Sequence, residues 1–282
     1  MSIDYEVEYN NRARVPDHPD IFARWARAAA ASRDEAIGEG RAELGIKFGP
    51  SPRQIIDLFM PKGGGTASLA MFVHGGYWRS LDPSMFSHMA RGPNERGISV
   101  AVVGYDLCPN VTIADIIEQM RRMCAYLWHR FSRRMTVYGH SAGGHLAACM
   151  IATDWKALAP DVPADLVPAA YSISGLFDLD PLLHLAANAD FKLDAAEARR
   201  ISPLFWPVAA GRVFDAVVGA IESAEFLRHS KVIAQEWKKR GVETRYEEIA
   251  GANHFTILDT MSDPDSAMVA RLAELCARVQ NQ

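Results

Sequence analysis

The chain has 282 residues, of which 49% are hydrophobic and 23% charged, the proportions of a globular protein with a sizeable core. With 30 Lys and Arg against 34 Asp and Glu its formal net charge is -4, and no basic stripe suggests a nucleic-acid partner. The opening MSIDYEVEYNNRARVPD is polar where a signal peptide needs an apolar core, and no apolar run approaches the ~18 residues of a membrane span. A cytoplasmic protein without membrane contact is the expectation.

The alanine- and arginine-rich stretch IFARWARAAAASRDEAI (21–37) predicts an exposed or half-buried helix spanning about 19–38. From about residue 52 strands and helices alternate. QIIDLFM (54–60) reads as a strand ended by Pro61 and a Gly63-Gly64-Gly65 turn; SLAMFVHG (68–75) and SVAVVGYDL (99–107) follow as strands. ADIIEQMRRMCAYLWHRF (114–131) has the spacing of an amphipathic helix. MTVYGH (135–140) is a strand leading into the helical GGHLAACMIATD (143–154). PAAYSISG (168–175), FDAVVGAI (214–221) and TRYEEIA (244–250) are further strands, with helices near 225–239 and 264–280. Short apolar strands separated by helices imply one α/β domain over 1–282, with a mostly parallel sheet covered on both faces. The stretch 178–212 is longer than a crossover needs and predicts a small helical cap over the strand ends. Cys108, Cys124, Cys149 and Cys276 lie far apart without a C-x-x-C pair, so neither a disulfide framework nor a zinc site is expected and a reducing compartment fits.

At the junction VYGHSAGGHLAA (137–148), the run Gly139-His140-Ser141-Ala142-Gly143 is a G-x-S-x-G pattern between a strand and a helix. That is the setting of a nucleophile elbow, where a serine sits on a turn sharp enough to demand glycines two residues away. An attacking serine creates an oxyanion that needs backbone N–H donors. One is expected from Ala142. Others are expected from the glycine-rich FVHGGYWRS (72–80), at Gly76 and Tyr77, with Gly75 shaping the loop beside the substrate, His74 anchoring it and Trp78 joining Tyr77 as pocket wall.

The general base should follow the serine in sequence. His254, in GANHFTIL after the strand TRYEEIA, stands at the same sheet edge as Ser141. His140 and His145 flank the serine and read as packing or capping groups, while His18, His88, His129, His184 and His229 fall on other loops and helices. The acid is less determined: Asp178 and Glu222 each follow a strand, with Glu222 somewhat ahead, since the last strand but one is the usual source. Asp180, Asp215 and Glu225 read as solvated charges.

With HGGYW (74–78), GHSAGGHLAA (139–148), SGLFDLDPL (174–182), VVGAIESAEFLRHS (217–230) and NHF (253–255), the chain resembles the arylformamidases (kynurenine formamidases). They are a branch of the α/β-hydrolase superfamily near the hormone-sensitive-lipase-like esterases. The resemblance runs from about residue 48 to the end. It implies the α/β-hydrolase fold, with Ser141 as nucleophile, His254 as base and Glu222 as acid, where Asp is usual in the family. It implies hydrolysis of an N-formyl arylamide through an acyl-enzyme. Because a formyl group is tiny, discrimination must come from the aryl side, where Tyr77, Trp78, Phe177, Phe205, Trp206 and Phe255 are the candidate aromatic surface, about half of them expected to line a pocket and the rest to pack in the core. A carboxylesterase for short acyl or aryl esters keeps the same triad, and a non-catalytic ligand-binding protein on the same fold is the third reading. No metal or organic cofactor is called for, since the histidines lack ligand spacing and no phosphate-binding loop is present. The expected partner is a small-molecule substrate, and a homodimer is compatible with this reading.

Overall fold

The computed structural model describes residues 3–64 and 68–280. Its eight strands are β1 (Ala42–Lys47), β2 (Ile55–Phe59), β3 (Ser68–Val73), β4 (Ile98–Val103), β5 (Met135–His140), β6 (Ala169–Ile173), β7 (Val213–Gly219) and β8 (Glu243–Ile249). They form one sheet in the order β1-β2-β4-β3-β5-β6-β7-β8. From β4 to β8 all pairs are parallel; β1 and β2 run antiparallel at one edge.

Five longer helices cover the sheet: α1 (His18–Gly38), α2 (Ile113–Phe131), α3 (Ala142–Ile151), α4 (Ala224–Lys239) and α5 (Ala267–Gln280). Successive side chains of a strand face opposite ways, so each strand feeds two cores. In β3, Leu69, Met71 and Val73 join the core under α2, α3 and α4, while Ala70 and Phe72 join the one under α1 and α5. Helix α2 shows why such segments are helical. Thr112 and Asp115 form a capping box, the apolar face Ile113, Ile116, Ile117, Met120, Met123, Cys124 and Leu127 repeats every three to four residues, and Ser132 ends the helix in the left-handed conformation.

Two differences from the sequence reading stand out. The edge strand β1, AELGIK, was not expected: its side chains are mostly solvent-facing, and the register shifts between Glu43 and Ile46, around Gly45, so it shows no apolar run. Two short helices, Tyr5–Tyr9 and Asn11–Arg14, precede α1 and are too brief to leave a periodicity. Gly63 and Gly64 turn with φ of 88° and 70° after Pro61, while Gly65 of the expected turn lies outside the described residues. The stretch 178–212 holds four short helical pieces, Asp180–His184, Asn188–Phe191, Ala195–Arg200 and Pro203–Phe205.

The register aligns the carboxyl ends of the strands: Val73 lies beside Gly139, His140 beside Ile173, and Gly219 beside Ile249. The loops that follow β3, β5, β7 and β8 therefore emerge together, which is where open α/β sheets carry their sites.

Candidate active site

Ser141 follows the last residue of β5 with φ 56° and ψ -116°, a strained conformation for a residue with a side chain. Its N–H donates to the Ile173 carbonyl at 2.8 Å, which ties the turn to β6. The flanking glycines are steric necessities: a methyl group at Gly139 would overlap the Gly143 carbonyl, and one at Gly143 the Val73 carbonyl. Ala142 opens α3, where N–H groups have no partner within the helix.

Downstream of β8, Asn253 organises the loop that carries His254. Its Oδ1 accepts the N–H groups of Phe255 and Thr256, both at 2.9 Å, and its own N–H donates to Thr256 Oγ1 at 3.0 Å. The His254 Nδ1–H donates to Glu222 Oε2 at 2.6 Å. The other carboxylate oxygen accepts Ser174 Oγ–H at 2.5 Å and Gly219 N–H at 2.7 Å. Glu222 thus has a fixed orientation in the loop between β7 and α4, and both side chains of the pair are buried. Ser141 and His254 line one cavity of about 560 Å³.

The loop after β3 forms another side of this cavity. Gly76 has φ 109° and Tyr77 and Trp78 each 53°; the Gly76 carbonyl accepts the N–H groups of Arg79 and Ser80 and the Ser80 hydroxyl. Gly76 and Tyr77 line the cavity, and Gly75 lies beneath, where any side chain would press on the His140 carbonyl and Ser141 Cβ. His74 anchors the loop as expected: it is buried, stacked on Tyr105 at 4.4 Å, with Nδ1 2.7 Å from the Gly75 carbonyl oxygen. Burial lowers its pKa to about 4, so it is neutral.

Of the expected aromatic surface Tyr77 and Phe255 line the cavity, but Trp78, Phe177, Phe205 and Trp206 do not, and Gly75 supports the loop without lining it. The left-handed turn at 77–78 sends the Trp78 ring inward, edge-on to His145 at 5.1 Å. Phe177 is buried against Phe214. Phe205 lies at the surface under the Arg199 guanidinium, and Trp206 donates its indole N–H to the Arg200 carbonyl, because that end of the 178–212 stretch packs along α3 and α4. Its other end does reach the cavity, through Leu185, Ala186, Ala187 and Asp190.

The remaining aromatic walls come from the N-terminal region: Tyr9, with Phe22 and Trp25 three residues apart on one face of α1. Phe255 packs edge-on to Phe22 at 5.1 Å. The i, i+3 spacing of Phe22 and Trp25 was the visible signal, but it reads equally as core packing. His140 was also underrated. It lines the cavity, and its Nε2–H donates to the His254 carbonyl oxygen at 2.7 Å.

The other acid candidates are placed differently. Asp178 accepts the N–H of Asp180 in a local turn, and Asp180 is exposed. Asp215 and Glu225 are buried and paired, with Arg271 at 2.7 Å and Arg228 at 2.7 Å, so the reading of them as solvated charges is corrected. All four cysteines are free and buried. Among the described residues no group of three or more His, Cys, Asp or Glu gathers around a metal position, and no helix is long and apolar enough to cross a membrane.

The profile of the alpha/beta hydrolase fold family matches residues 70–258. Kynurenine formamidase of Danio rerio is 24% identical over 98% of this chain and 96% of its own length, and that of Drosophila melanogaster 28% identical over 93% and 92%. A crystal structure from Silicibacter sp. TM1040, described as a candidate thioesterase, is 32% identical with a TM-score of 0.85, covering 95% of this chain and 98% of that one. The chain belongs to the alpha/beta hydrolase fold family: it is a hydrolase whose resemblance to the kynurenine formamidases extends over nearly its whole length.

Proposed function

We propose that the protein is a serine hydrolase that cleaves N-formyl arylamides, N-formylkynurenine among them, to an arylamine and formate. The observation that carries this reading is the 2.6 Å bond from His254 to Glu222, with His254 sharing its cavity with Ser141. In the reaction His254 Nε2 takes the Ser141 hydroxyl proton as Oγ attacks the formyl carbon. Glu222 holds the imidazole tautomer and stabilises the imidazolium. The N–H groups of Gly76, Tyr77 and Ala142 receive the oxyanion. On collapse the C–N bond breaks and His254 passes its proton to the leaving nitrogen. A water then gives a proton to His254 as its oxygen attacks the formyl-enzyme, and the Ser141 oxygen leaves and regains its proton.

A formyl group offers little to grip, so selection falls on the aryl side, where Phe22, Trp25, Tyr77 and Phe255 supply apolar walls. Arg12 and Glu6 also line the cavity, and among the described residues neither forms an ion pair with the protein, which suits a substrate carrying a carboxylate and an ammonium group. By contrast Arg79 and Asp190, in the same wall, neutralise each other at 2.8 Å. Free cysteines support a cytoplasmic setting.

A second reading, hydrolysis of short acyl esters or thioesters by the same residues, draws support from the 32% identical structure described as a candidate thioesterase. Specificity constants for N-formylkynurenine, p-nitrophenyl acetate and a short acyl thioester decide between them. The formamide is expected to dominate, and negligible formamide turnover beside ester or thioester turnover would reject the first reading. Ser141→Ala is expected to abolish all three activities and labelling by a fluorophosphonate.

A further inference from the structure

The stretch 4–15 precedes the 70–258 region matched by the family profile, yet it forms one wall of the cavity. Its central contact is with loop 75–78, whose Gly76 and Tyr77 N–H groups the proposed reaction uses as oxyanion donors. The Tyr77 hydroxyl donates to the Tyr9 carbonyl oxygen at 2.7 Å. Burial pushes the Tyr77 phenol well above its usual pKa, so it remains a donor throughout the working pH range.

Tyr9 is itself held by its hydroxyl. Phe177 N–H donates to His229 Nδ1 at 3.2 Å, which leaves the ring proton on Nε2. That Nε2–H donates to the Tyr9 oxygen at 2.7 Å, and the Tyr9 O–H donates to Glu225 Oε2 at 2.8 Å. Glu225 is gripped by Arg228 through two bonds, at 2.9 and 2.7 Å, and its N–H donates to Glu8 Oε2 at 3.1 Å. Glu225 and His229 both stand on α4, which begins two residues beyond Glu222. A continuous set of hydrogen bonds therefore runs from the helix after the acid, through Tyr9, to the loop at Tyr77.

That loop needs external support. Tyr77 and Trp78 both have φ of 53°, a conformation that residues with side chains keep only where surrounding contacts impose it. Cys108 N–H holds the Trp78 carbonyl at 2.8 Å, and Tyr9 holds Tyr77 from the other side.

We propose that Tyr9 is a positioning residue for the hydrolysis, acting through Tyr77 to keep the N–H groups of loop 75–78 aimed at the oxyanion. This rests on the assignment of Tyr77 as an oxyanion donor. Displacement of these donors by a fraction of an ångström weakens the transition state while the ground-state substrate still binds.

The test uses full-length protein carrying Tyr77→Phe, which removes one oxygen, and separately Tyr9→Phe, with Ser141→Ala alongside. Steady-state kinetics on an aryl formamide and on p-nitrophenyl acetate are read together with thermal melting. Tyr77→Phe is expected to lower kcat about tenfold to hundredfold with KM within twofold of wild type. Tyr9→Phe is expected to lower kcat in the same way by a smaller factor. The double variant should lose less than the product of the two single losses, because both act on one loop. Values of kcat within twofold of wild type in both single variants, or losses confined to KM, would overturn the positioning role. Wild-type turnover by Ser141→Ala would instead overturn the reading of the site on which it rests.

Discussion

His140 and His254 are joined head to backbone: the Nε2–H of the first donates to the carbonyl oxygen of the second at 2.7 Å, with ring centroids 4.7 Å apart. The residue beside the candidate nucleophile thus fixes the main chain of the candidate base, so the two ends of the proposed proton transfer share one rigid link. Burial first, and the neighbouring His254 second, hold the His140 pKa far below its ordinary value, so this link stays neutral. His140→Ala is expected to lower kcat about tenfold by loosening His254, while the acid limb of the kcat/KM profile keeps its midpoint. A shifted midpoint with unchanged kcat would assign His140 a titrating role in place of a positioning one.

The length of the acid side chain is built into the site. Glu222 accepts from His254, Ser174 and Gly219 at 2.5–2.7 Å. Glu222→Asp withdraws the carboxylate by one bond, about 1.5 Å, and cannot keep all three partners. Its kcat should fall about tenfold to hundredfold, and that of Glu222→Gln about 10⁴-fold, since the amide no longer supports the imidazolium. Aspartate working as well as glutamate would show that the loop after β7 relaxes around its acid.

Charge in the cavity wall should govern substrate choice. Arg12→Met is expected to raise KM for N-formylkynurenine about tenfold relative to the uncharged formanilide, the scale of one charged hydrogen bond. Glu6→Gln should act in the same direction through the ammonium group. Parallel measurements on both substrates check this, and an unchanged ratio in both variants would remove the charged residues from recognition.

Acid should weaken the fold well before most carboxylates protonate. Burial lowers the pKa of His74, His88 and His145 to about 4 and of His229 to about 3. In the unfolded chain a histidine titrates near 6.5, so there the unfolded state binds more protons than the folded one. Their contribution is complete above about pH 6.5 and is lost as pH falls from there towards 4, at about 1.4 kcal/mol per pH unit for each fully responding histidine. Melting temperature should therefore drop steeply between pH 6.5 and 4.5. A flat profile over that range would contradict the buried neutral state.

The elbow should tolerate no added carbon. Gly143→Ala drives a methyl group into the Val73 carbonyl, where the central strands leave no room to yield. A loss of about 2–3 kcal/mol in urea unfolding is expected, with activity falling alongside it. Near wild-type stability would mean that α3 can shift away from β3.

Strands β3 to β7 were legible because each is a short, largely apolar run, as in SLAMFVHG and MTVYGH. The elbow was legible because its steric demand dictates residue types at fixed spacing. Strand β1 was hidden because an exposed edge strand buries too little to need apolar residues. The cavity walls were hidden for a different reason. Phe22 and Trp25 meet Phe255 only after more than 200 residues of chain have folded back, and no local pattern separates a ring facing a cavity from one facing a core. Trp78 and Phe177 failed in the opposite sense. Their place in sequence beside site residues said nothing of the direction their backbones would turn them, and at Trp78 that direction is set by a positive φ no local rule anticipates.

The wall contributed by Glu6, Tyr9, Asn11 and Arg12 comes from a part of the polypeptide that adds no strand to the sheet. On the proposed reading, Glu6 and Arg12 bear on substrate choice while Tyr9 between them steadies Tyr77, so one short stretch would couple selectivity to alignment, and its ends can be retuned only while the Tyr9–Tyr77 contact is kept.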